Sequence, residues 1–181
     1  TDPELRVDRR ALRACVPGSR VLVVGASRGA ADDLARSVAA AVPATFGIER
    51  LSLTQAAART ALPALAARQT APSTRLGAEA VAARAVFDAR QASALRYFGP
   101  VADTPGFPRA LARTLQELRL AGIAGRALSP LPLAGPDLAW LLERFDACFA
   151  EATSVDRAEL FRTAARVMTV GYDMVLLLDV P

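Results

Sequence analysis

The segment from residue 21 to residue 33, VLVVGASRGAADD, constrains the fold of this chain more than any other. Val21 to Gly25 is an uninterrupted aliphatic run ending at a glycine, and a helical pattern from Ala30 to Ala41 follows it directly. Such a run is typical of a strand that is buried on both faces, as in a parallel sheet. Asp32 and Asp33 are expected in the first turn of the helix, where acidic groups suit the helix dipole. The segment therefore predicts an α/β fold.

Two further aliphatic runs, Ile48 to Leu53 and Met174 to Asp179, are expected to complete the sheet. The roughly one hundred residues between them have helical patterns and are too many for a loop, so we expect a separate helical subdomain. We place the sheet subdomain at residues 18–60 and 169–181 and the helical insertion at residues 61–168. A buried strand so close to the end of the chain favours an N-terminal piece of a longer protein.

Within the helical region, the sequence predicts helix starts and inward faces. Thr54 is expected to cap a helix that runs through Arg59 and is interrupted or kinked at Pro63, and Ser73 or Thr74 starts the next helix. A break at residues 98–108 separates this helix from the next, another helix begins at Pro136 and Asp137, and the last begins at a capping pair formed by Asp156 and Glu159. The residues expected to face inward are, helix by helix, Leu76, Ala80, Ala83 and Phe87; Phe107, Leu111, Leu115 and Leu118; Leu138, Leu141, Leu142, Phe145 and Phe149; and Leu160, Ala164 and Val167.

The chain contains no histidine and no lysine, so all 22 of its basic residues are arginine. Without histidine there is no Ser-His-Asp or Cys-His pair, and without lysine there is no Schiff base. The two cysteines, Cys15 and Cys148, lie far apart in apolar helical patterns, which makes neither a disulfide framework nor a zinc site. We therefore expect no catalytic residue and no metal ligand in this chain.

The net charge of +4 favours an anionic partner, because arginine binds phosphate bidentately. No apolar run reaches the roughly 18 residues of a membrane span, and the charged N-terminal sequence TDPELRVDRR is not a secretory signal. These features predict a cytoplasmic location and no membrane partner.

The glycine turn after the first strand has three interpretations, since a strand, a turn and a helix N-terminus together expose amides that can hold phosphate. The stretch GASRG resembles the glycine motif of short-chain dehydrogenases, but Ala31 stands near the third glycine position and no lysine is present to pair with Tyr97 or Tyr172. The second interpretation is an active P-loop. It requires a lysine on the phosphates and a hydroxyl on magnesium, which are both missing, and Asp32 would repel phosphate.

The third interpretation is a degenerate phosphate loop formed by Gly25, Ser27, Arg28 and Gly29, retained for the fold. The final strand resembles a Walker B strand that ends in Asp179, with valine at position 180 where the catalytic glutamate would follow. Neither ATP nor magnesium is therefore expected as a cofactor. The simplest alternative is that both segments are ordinary core strands followed by turns.

Three other blocks resemble the N-terminal region of AddB-type subunits of bacterial helicase–nucleases. In that family an Asp-x-Pro-Gly-Phe turn leads into a helix that ends in a Glu-Leu-Arg-like stretch. The corresponding residues of the block 95–123 are Asp103, Pro105, Gly106, Phe107 and Glu117 to Arg119. Residues 156–166 (DRAELFRTAAR) resemble the helix before the family's Walker B strand, and residues 48–59 (IERLSLTQAAAR) resemble its segment after the second strand. The order of these blocks matches the family from Val21 onward.

The resemblance implies a partial RecA-like (P-loop NTPase-like) sheet with a large helical insertion, as in the first subdomain of a superfamily 1 helicase. It also implies a role in bacterial DNA double-strand break repair, where this subunit tracks single-stranded DNA beside a helicase partner subunit. Members of the family carry a C-terminal PD-(D/E)XK nuclease domain, in some with cysteines for an iron–sulfur cluster. The parent protein is thus expected to be of the nuclease family, whereas this chain is expected not to be an enzyme.

Together these features predict a non-hydrolysing helicase-like module that handles or scaffolds single-stranded DNA. Arg28, Arg109 and Arg113 are the candidate DNA contacts, with solvated surface arginines as the alternative. Tyr97 and Phe98 are candidates for stacking on bases, with core packing as the alternative. Two other functions stay open, namely a protein-binding module that assembles with a helicase partner and a domain that binds ATP weakly through backbone amides.

Overall fold

The computed structural model describes residues 19–40, 47–167 and 171–179. Its strands are β1 (Val21–Gly25), β2 (Ile48–Ser52), β3 (Ala71–Pro72), β4 (Ser154–Val155) and β5 (Met174–Leu178). Its helices are α1 (Arg28–Ala39), α2 (Leu53–Ala67), α3 (Arg75–Gln91), α4 (Phe107–Leu120), α5 (Gly125–Leu128), α6 (Gly135–Glu151) and α7 (Arg157–Val167), with a 3₁₀ turn at Gly99–Val101. The chain is therefore an α/β protein with a small parallel sheet and mostly helices.

The chain divides into two compact units. Unit 1 comprises Thr1–Ala61 and Ala164–Pro181 and contains the three-stranded sheet, and unit 2 comprises Leu62–Thr163 and is mostly helical. The domain boundaries expected from the sequence remain a prediction, because a compact unit need not be a domain that folds alone.

In unit 1, β1 is the central strand of a parallel sheet with the order β2-β1-β5. Val21 lies beside Ile48 and Met174 at one end, and Gly25 lies beside Ser52 and Leu178 at the other. One face packs on α1, in a core that contains Val21, Val23, Ala31, Leu34, Val38 and Leu178. The carboxyl ends of all three strands therefore lie at one edge of the sheet, as expected for parallel strands.

The last strand is not buried on both faces, which corrects the expectation from its aliphatic sequence. Val175 and Leu177 are 40% and 62% exposed, whereas Leu178 is buried. Successive side chains of a strand point to opposite faces, and α1 packs on the face that carries Met174, Leu176 and Leu178. A strand with an uninterrupted aliphatic sequence can therefore be buried on one face only.

Helix α1 begins at Arg28, two residues before the predicted start. Ser27 is its N-cap, with a side-chain oxygen that accepts the backbone N–H of Ala30 at 3.2 Å. The first turn therefore contains no acidic residue, and the expected place of Asp32 and Asp33 in that turn was wrong. Serine is among the best N-cap residues, and here it starts the helix inside the segment that the sequence suggested was loop.

Helix α2 is capped by Ser52 and not, as predicted, by Thr54. The Ser52 hydroxyl accepts the N–H of Gln55 at 3.2 Å, and the Gln55 side chain accepts the N–H of Ser52 at 3.0 Å. This reciprocal pair is a capping box. The helix then continues past Pro63 to Ala67, so of the two predicted alternatives the interruption was wrong, and a kink at Pro63 stays a prediction. Because proline has no backbone N–H, the helix lacks one hydrogen bond at Pro63.

In unit 2, helices α3, α4 and α6 pack around one apolar core. The inward faces predicted for α4 and α6 are confirmed, because the side chains of Leu111, Leu115, Leu141 and Phe145 are all buried. Phe145 and Phe149 meet edge to face with their ring centroids 4.8 Å apart. The start of α3 is also confirmed, since the Thr74 hydroxyl accepts the N–H of Gly77 at 3.1 Å.

The inward face predicted for α3 was wrong. Leu76 and Phe87 are 73% and 54% exposed, and Ala80 and Ala83 are exposed as well. The buried residues of this helix are Ala78, Ala82, Ala85, Val86 and Ala89. Because alanine occurs all round the helix, its apolar pattern does not define one face. The small alanine side chains let the backbone of α3 approach α4 and α6 closely, as the close packing of protein interiors requires.

A buried ion pair joins the end of α4 to the start of α7. The guanidinium group of Arg119 donates to both carboxylate oxygens of Asp156, at 2.7 and 3.2 Å, and the Asp156 side chain is fully buried. Asp156 also accepts the N–H of Glu159 at 2.9 Å, which confirms its predicted capping role. Removing either partner of such a pair would leave an uncompensated buried charge.

The face predicted for α7 is confirmed in two of three positions. Leu160 and Ala164 are buried, whereas Val167 is 39% exposed at the last residue of the helix. Helix ends fray and have fewer neighbours to pack on, so the periodic pattern is least informative there.

Asp88 of α3 lies between two arginines. The Nε atom of Arg144 donates to it at 2.6 Å, and the Nε atom of Arg84 donates at 3.2 Å. The hydrogen bond from Arg144 and then that from Arg84 lower the pKa of Asp88, against burial, which raises it. A carboxyl group whose pKa is lowered by folding stabilises the fold above its unfolded pKa, and this contribution is lost as the pH falls through the lowered value.

We predict that Asp88→Asn lowers the free energy of unfolding at pH 7 and that the deficit shrinks as the pH falls from about 5 towards 2. Urea denaturation of both proteins over this pH range measures the difference. Asp103→Asn is the matched control, since Asp103 forms an exposed pair with Arg90 and such pairs contribute roughly 0–1 kcal/mol. A deficit that does not change with pH would contradict the assignment.

Candidate functional site

The candidate site lies at the carboxyl edge of the parallel sheet in unit 1. β1 ends at Gly25, β2 at Ser52 and β5 at Leu178, and these three residues are in register. The backbone N–H of Ala26 donates to the carbonyl oxygen of Leu178 at 3.0 Å, which ties the turn after β1 to the end of β5. This edge is where parallel α/β sheets usually bind ligands.

A side chain at position 25 would collide with the turn. A Cβ atom there would lie 2.7 Å from the carbonyl oxygen of Ser27 and 3.2 Å from the amide nitrogen of Ala31. Both neighbours are backbone atoms and cannot move aside independently. At Gly29, in contrast, a Cβ atom would have only the Ser27 hydroxyl oxygen nearby, at an ordinary 3.7 Å. Of the two glycines predicted for the loop, Gly25 is therefore the one that the turn requires.

The backbone amides at this turn are divided into bonded and open groups. Ala26 donates to Leu178, and Ala30 donates to the Ser27 hydroxyl. The N–H groups of Ser27, Arg28 and Gly29 have no acceptor among the residues that the structure describes. Three adjacent donors at the positive end of a helix dipole can bind an anion, although without the charge of a lysine.

The charged groups beside the turn form a chain of three. Asp32 lies 3.4 Å from the Nε atom of Arg28 and 3.6 Å from that of Arg50, which comes from β2. The carboxylate is thus shared by two guanidinium groups, and the cluster has a surplus positive charge. Arg50 was missed in the sequence, because its proximity to Asp32 follows from the pairing of β2 with β1 and not from spacing.

Asp179, the candidate Walker B residue, follows β5 directly and is exposed. Its φ of +46° is in the left-handed region, which aspartate tolerates better than most residues. The structure therefore brings Asp179 to the same sheet edge as Gly25 and Ser27. Position 180, where the sequence has valine in place of a catalytic glutamate, lies outside the described residues.

Arg109 and Arg113 lie in unit 2 and line one groove between α3 and α4. The groove has a volume of about 780 Å³ and is also lined by Arg75, Glu79 and Glu117. Arg75 pairs with Glu79 at 3.3 Å and Arg113 with Glu117 at 3.1 Å, each along one helix. Arg109 has no ion-pair or hydrogen-bonding partner in the described part of the chain, so its charge is available to a ligand. Arg75 is not among the residues predicted from the sequence.

The two aromatic candidates differ in their surroundings. Tyr97 is 51% exposed, whereas Phe98 packs against the core and against Phe107, with their ring centroids 5.5 Å apart. The buried carboxylate of Asp137 accepts the N–H groups of residues 96, 97 and 98, at 3.1, 2.9 and 3.0 Å. Tyr97 is therefore presented on a fixed backbone, and the core role considered for these aromatics applies to Phe98.

The comparisons with known proteins add no relationship. No family model matches the chain, and no curated protein is significantly similar to it. Within residues 19–40, 47–167 and 171–179 there is no group of three or more acidic or cysteine side chains placed to hold a metal ion. In the same residues, no helix combines the length and the apolar character that crossing a membrane would take.

We predict different effects for alanine at Gly25 in the turn and at Gly29 in the first turn of α1. Gly25→Ala should lower the free energy of unfolding by about 1–3 kcal/mol, since overpacking against fixed atoms costs this much. Gly29→Ala should be neutral or stabilise by about 0.5–1 kcal/mol, because alanine favours a helical backbone and finds free space. Chemical denaturation of the two variants tests the pair, and equal effects at both positions would refute the close approach at Gly25.

Proposed function

We propose that this chain is a non-hydrolysing, RecA-like module of a bacterial DNA double-strand break repair protein of the AddB type, and that it handles single-stranded DNA in the cytoplasm beside a helicase partner subunit. The proposal rests on the ordered resemblance of its sequence blocks to that family. A PD-(D/E)XK nuclease domain would belong to the parent protein and not to this chain.

The observation that carries the non-hydrolysing part is the composition of the turn after β1. A strand, a glycine turn and a helix follow one another in the order that a P-loop has, and Asp179 lies at the same edge of the sheet. The lysine that would bind the β- and γ-phosphates is missing from the whole chain. At the start of α1, the Ser27 hydroxyl serves as a helix cap, and Asp32 places a carboxylate one turn further on. This turn therefore supports a retained fold without ATP hydrolysis.

The groove of unit 2 supports the DNA-handling part. Arg109, Arg113 and Arg75 bring three guanidinium groups to one surface, and arginine is well suited to bidentate phosphate contacts. Arg113 pairs with the exposed Glu117 along its own helix, and an exposed pair of this kind exchanges at little cost, whereas Arg75 pairs with the largely covered Glu79. We expect Arg109 to be the main phosphate contact, with Arg113 beside it. Arg28 is a further candidate in unit 1.

We predict that the chain binds a labelled thymidine oligonucleotide at low salt, measured by fluorescence anisotropy. Arg109→Gln should weaken binding about three- to tenfold and reduce the slope of log K against log salt concentration by about 0.7, the value for one contact to a single strand. Arg113→Gln should have a smaller effect, because Arg113 must leave Glu117 to bind phosphate.

Arg126→Gln is the matched control, since Arg126 is an exposed arginine of the same unit that has no partner among the described residues and does not line the groove. It should leave both the affinity and the salt slope unchanged. Absence of binding at low salt would refute DNA handling. Equal losses in all three variants would show that only overall charge matters.

A second candidate function is nucleotide binding through backbone amides alone, and the strand order favours it. β1 has β2 on one side and β5 on the other, which is the arrangement at the topological switch point of doubly wound sheets. The three open amides of residues 27–29 lie at that point. An active P-loop is not required for this role.

For this second function we predict weak ATP binding that does not depend on magnesium, measured by isothermal titration. Gly29→Pro, which removes one of the three open amides in the first turn of α1, should weaken it, and circular dichroism checks that the helix is retained. Binding that requires magnesium, or any hydrolysis of ATP, would overturn both the second function and the non-hydrolysing assignment.

A further inference from the structure

The outward face of α3 carries an unpartnered apolar stripe. Leu76, Ala80, Ala83 and Phe87 follow the i, i+4, i+7, i+11 spacing of one helix face, and all four are exposed. The two large side chains are 73% and 54% exposed, at opposite ends of a stripe that spans about 16 Å at 1.5 Å per residue. The two alanines between them leave a shallow depression. A contiguous apolar face of this kind marks an interaction surface more often than a scattered exposed leucine does.

The charges that border the stripe are asymmetric in what they present to solvent. The side chains of Arg84 and Arg90 are 62% and 51% exposed. The acidic residues of the same helix are largely covered, with Glu79 at 23% and Asp88 at 17%. A partner that approaches this helix therefore meets apolar groups bordered by the guanidinium groups of Arg84 and Arg90, with the exposed carboxylate of Asp103 beside Arg90.

Arg84 is placed to hold a partner's carboxylate. Its guanidinium carbon lies 5.8 Å from the centroid of the Phe87 ring, so that the charge is positioned over the stripe. Its own partner Asp88 is shared with Arg144, whose hydrogen bond is shorter and has the larger effect on the pKa of Asp88. Arg90 pairs with Asp103 at the surface, where a pair contributes little and exchanges readily.

We propose that the outward face of α3 is a docking surface for an acidic amphipathic helix of a partner protein. An apolar ridge of that helix fits the depression between Leu76 and Phe87, and its flanking carboxylates pair with Arg84 and Arg90. This is the helix-in-groove mode of peptide recognition, with charges that select the partner. The inference uses none of the residues that the proposed DNA contact depends on, and each can fail without the other.

Two other occupants fit the surface less well. A second copy of the chain would place arginine borders against each other, while the acids of α3 are too covered to compensate, and such like-charge contacts are costly. Single-stranded DNA uses successive aromatic platforms for its bases. This stripe offers one aromatic ring, Phe87, and three aliphatic side chains.

The test uses a fluorescein-labelled helical peptide with leucines at heptad positions a and d and glutamates at e and g, together with a matched peptide that has lysine for every glutamate. The full chain is titrated against each peptide, and a thymidine oligonucleotide is the third probe. Leu76→Ser/Phe87→Ser removes the stripe. Leu131→Ser/Leu133→Ser is the matched control, since those leucines are 50% and 75% exposed elsewhere in unit 2.

We expect saturable binding of the acidic peptide, weakened about tenfold or more in Leu76→Ser/Phe87→Ser and unchanged in the control, because few central anchors carry most of an interface's affinity. Arg84→Gln/Arg90→Gln should weaken it about three- to tenfold and remove most of its salt dependence. The circular dichroism spectrum should not change in either variant, because all four side chains lie on the outward face of the helix. The denaturation midpoint should fall slightly in Arg84→Gln/Arg90→Gln, because Arg84 is one of the two arginines that donate to Asp88.

Three results would overturn the inference: no saturable binding of the acidic peptide, equal binding of the lysine peptide, or no loss in Leu76→Ser/Phe87→Ser. Loss of oligonucleotide binding in that variant, without acidic-peptide binding, would assign the face to nucleic acid. Concentration-dependent dimerisation that the same substitutions abolish would assign it to a second copy. The oligonucleotide affinity of Arg109→Gln is independent of all these outcomes.

Discussion

The close approach of backbone to backbone at Gly25 is the constraint on which the sheet edge depends. A Cβ atom at residue 25 would lie 2.7 Å from the carbonyl oxygen of Ser27, closer than real Cβ atoms come, so this turn requires glycine. The turn then places Ser27 as the cap of α1 and lets Ala26 bond to the end of β5. One small residue thus couples the central strand, the first helix and the last strand of unit 1. Any ligand at this edge of the sheet must therefore fit against the turn at Gly25.

The sequence predicted the strands that form this edge better than it predicted the charged groups beside it. Three aliphatic runs and one glycine turn were sufficient for a parallel sheet, and the strands end within one residue of their predicted ends. The pair formed by Arg50 and Asp32 could not be predicted, because it depends on strand register and not on spacing. The start of α1 could have been predicted, since serine at position 27 is a standard capping residue. The same holds for α2, where Ser52 and Gln55 have the spacing of a capping box.

The helical unit shows why apolar periodicity succeeds on some helices and fails on others. In α4, Leu111 and Leu115 lie on one face and Arg109 and Arg113 on the other, so the burial of the two leucines follows from the pattern. In α3, alanines occur on every face, and the two largest apolar residues lie outside. The buried residues of the helix are Ala78, Ala82, Ala85, Val86 and Ala89, and their small side chains allow close contact with α4 and α6. Leu76 and Phe87 lie outside that contact and are exposed. Their exposure contradicts the predicted inward face and is the observation from which we propose a docking surface.

Arginine as the only base in the chain shapes both proposed surfaces. A guanidinium group stays charged, forms bidentate pairs and keeps a nearby carboxylate ionised, which makes it suited to binding and unsuited to proton transfer. In the groove of unit 2, Arg109 has no side-chain partner among the residues that the structure describes, so a ligand can bind its charge without breaking a pair, whereas Arg75 and Arg113 must first exchange theirs. On α3, Arg84 shares its carboxylate with Arg144 and is therefore the border charge that is easiest to recruit. Paired and unpaired guanidinium groups of this kind are what the two proposed binding surfaces require.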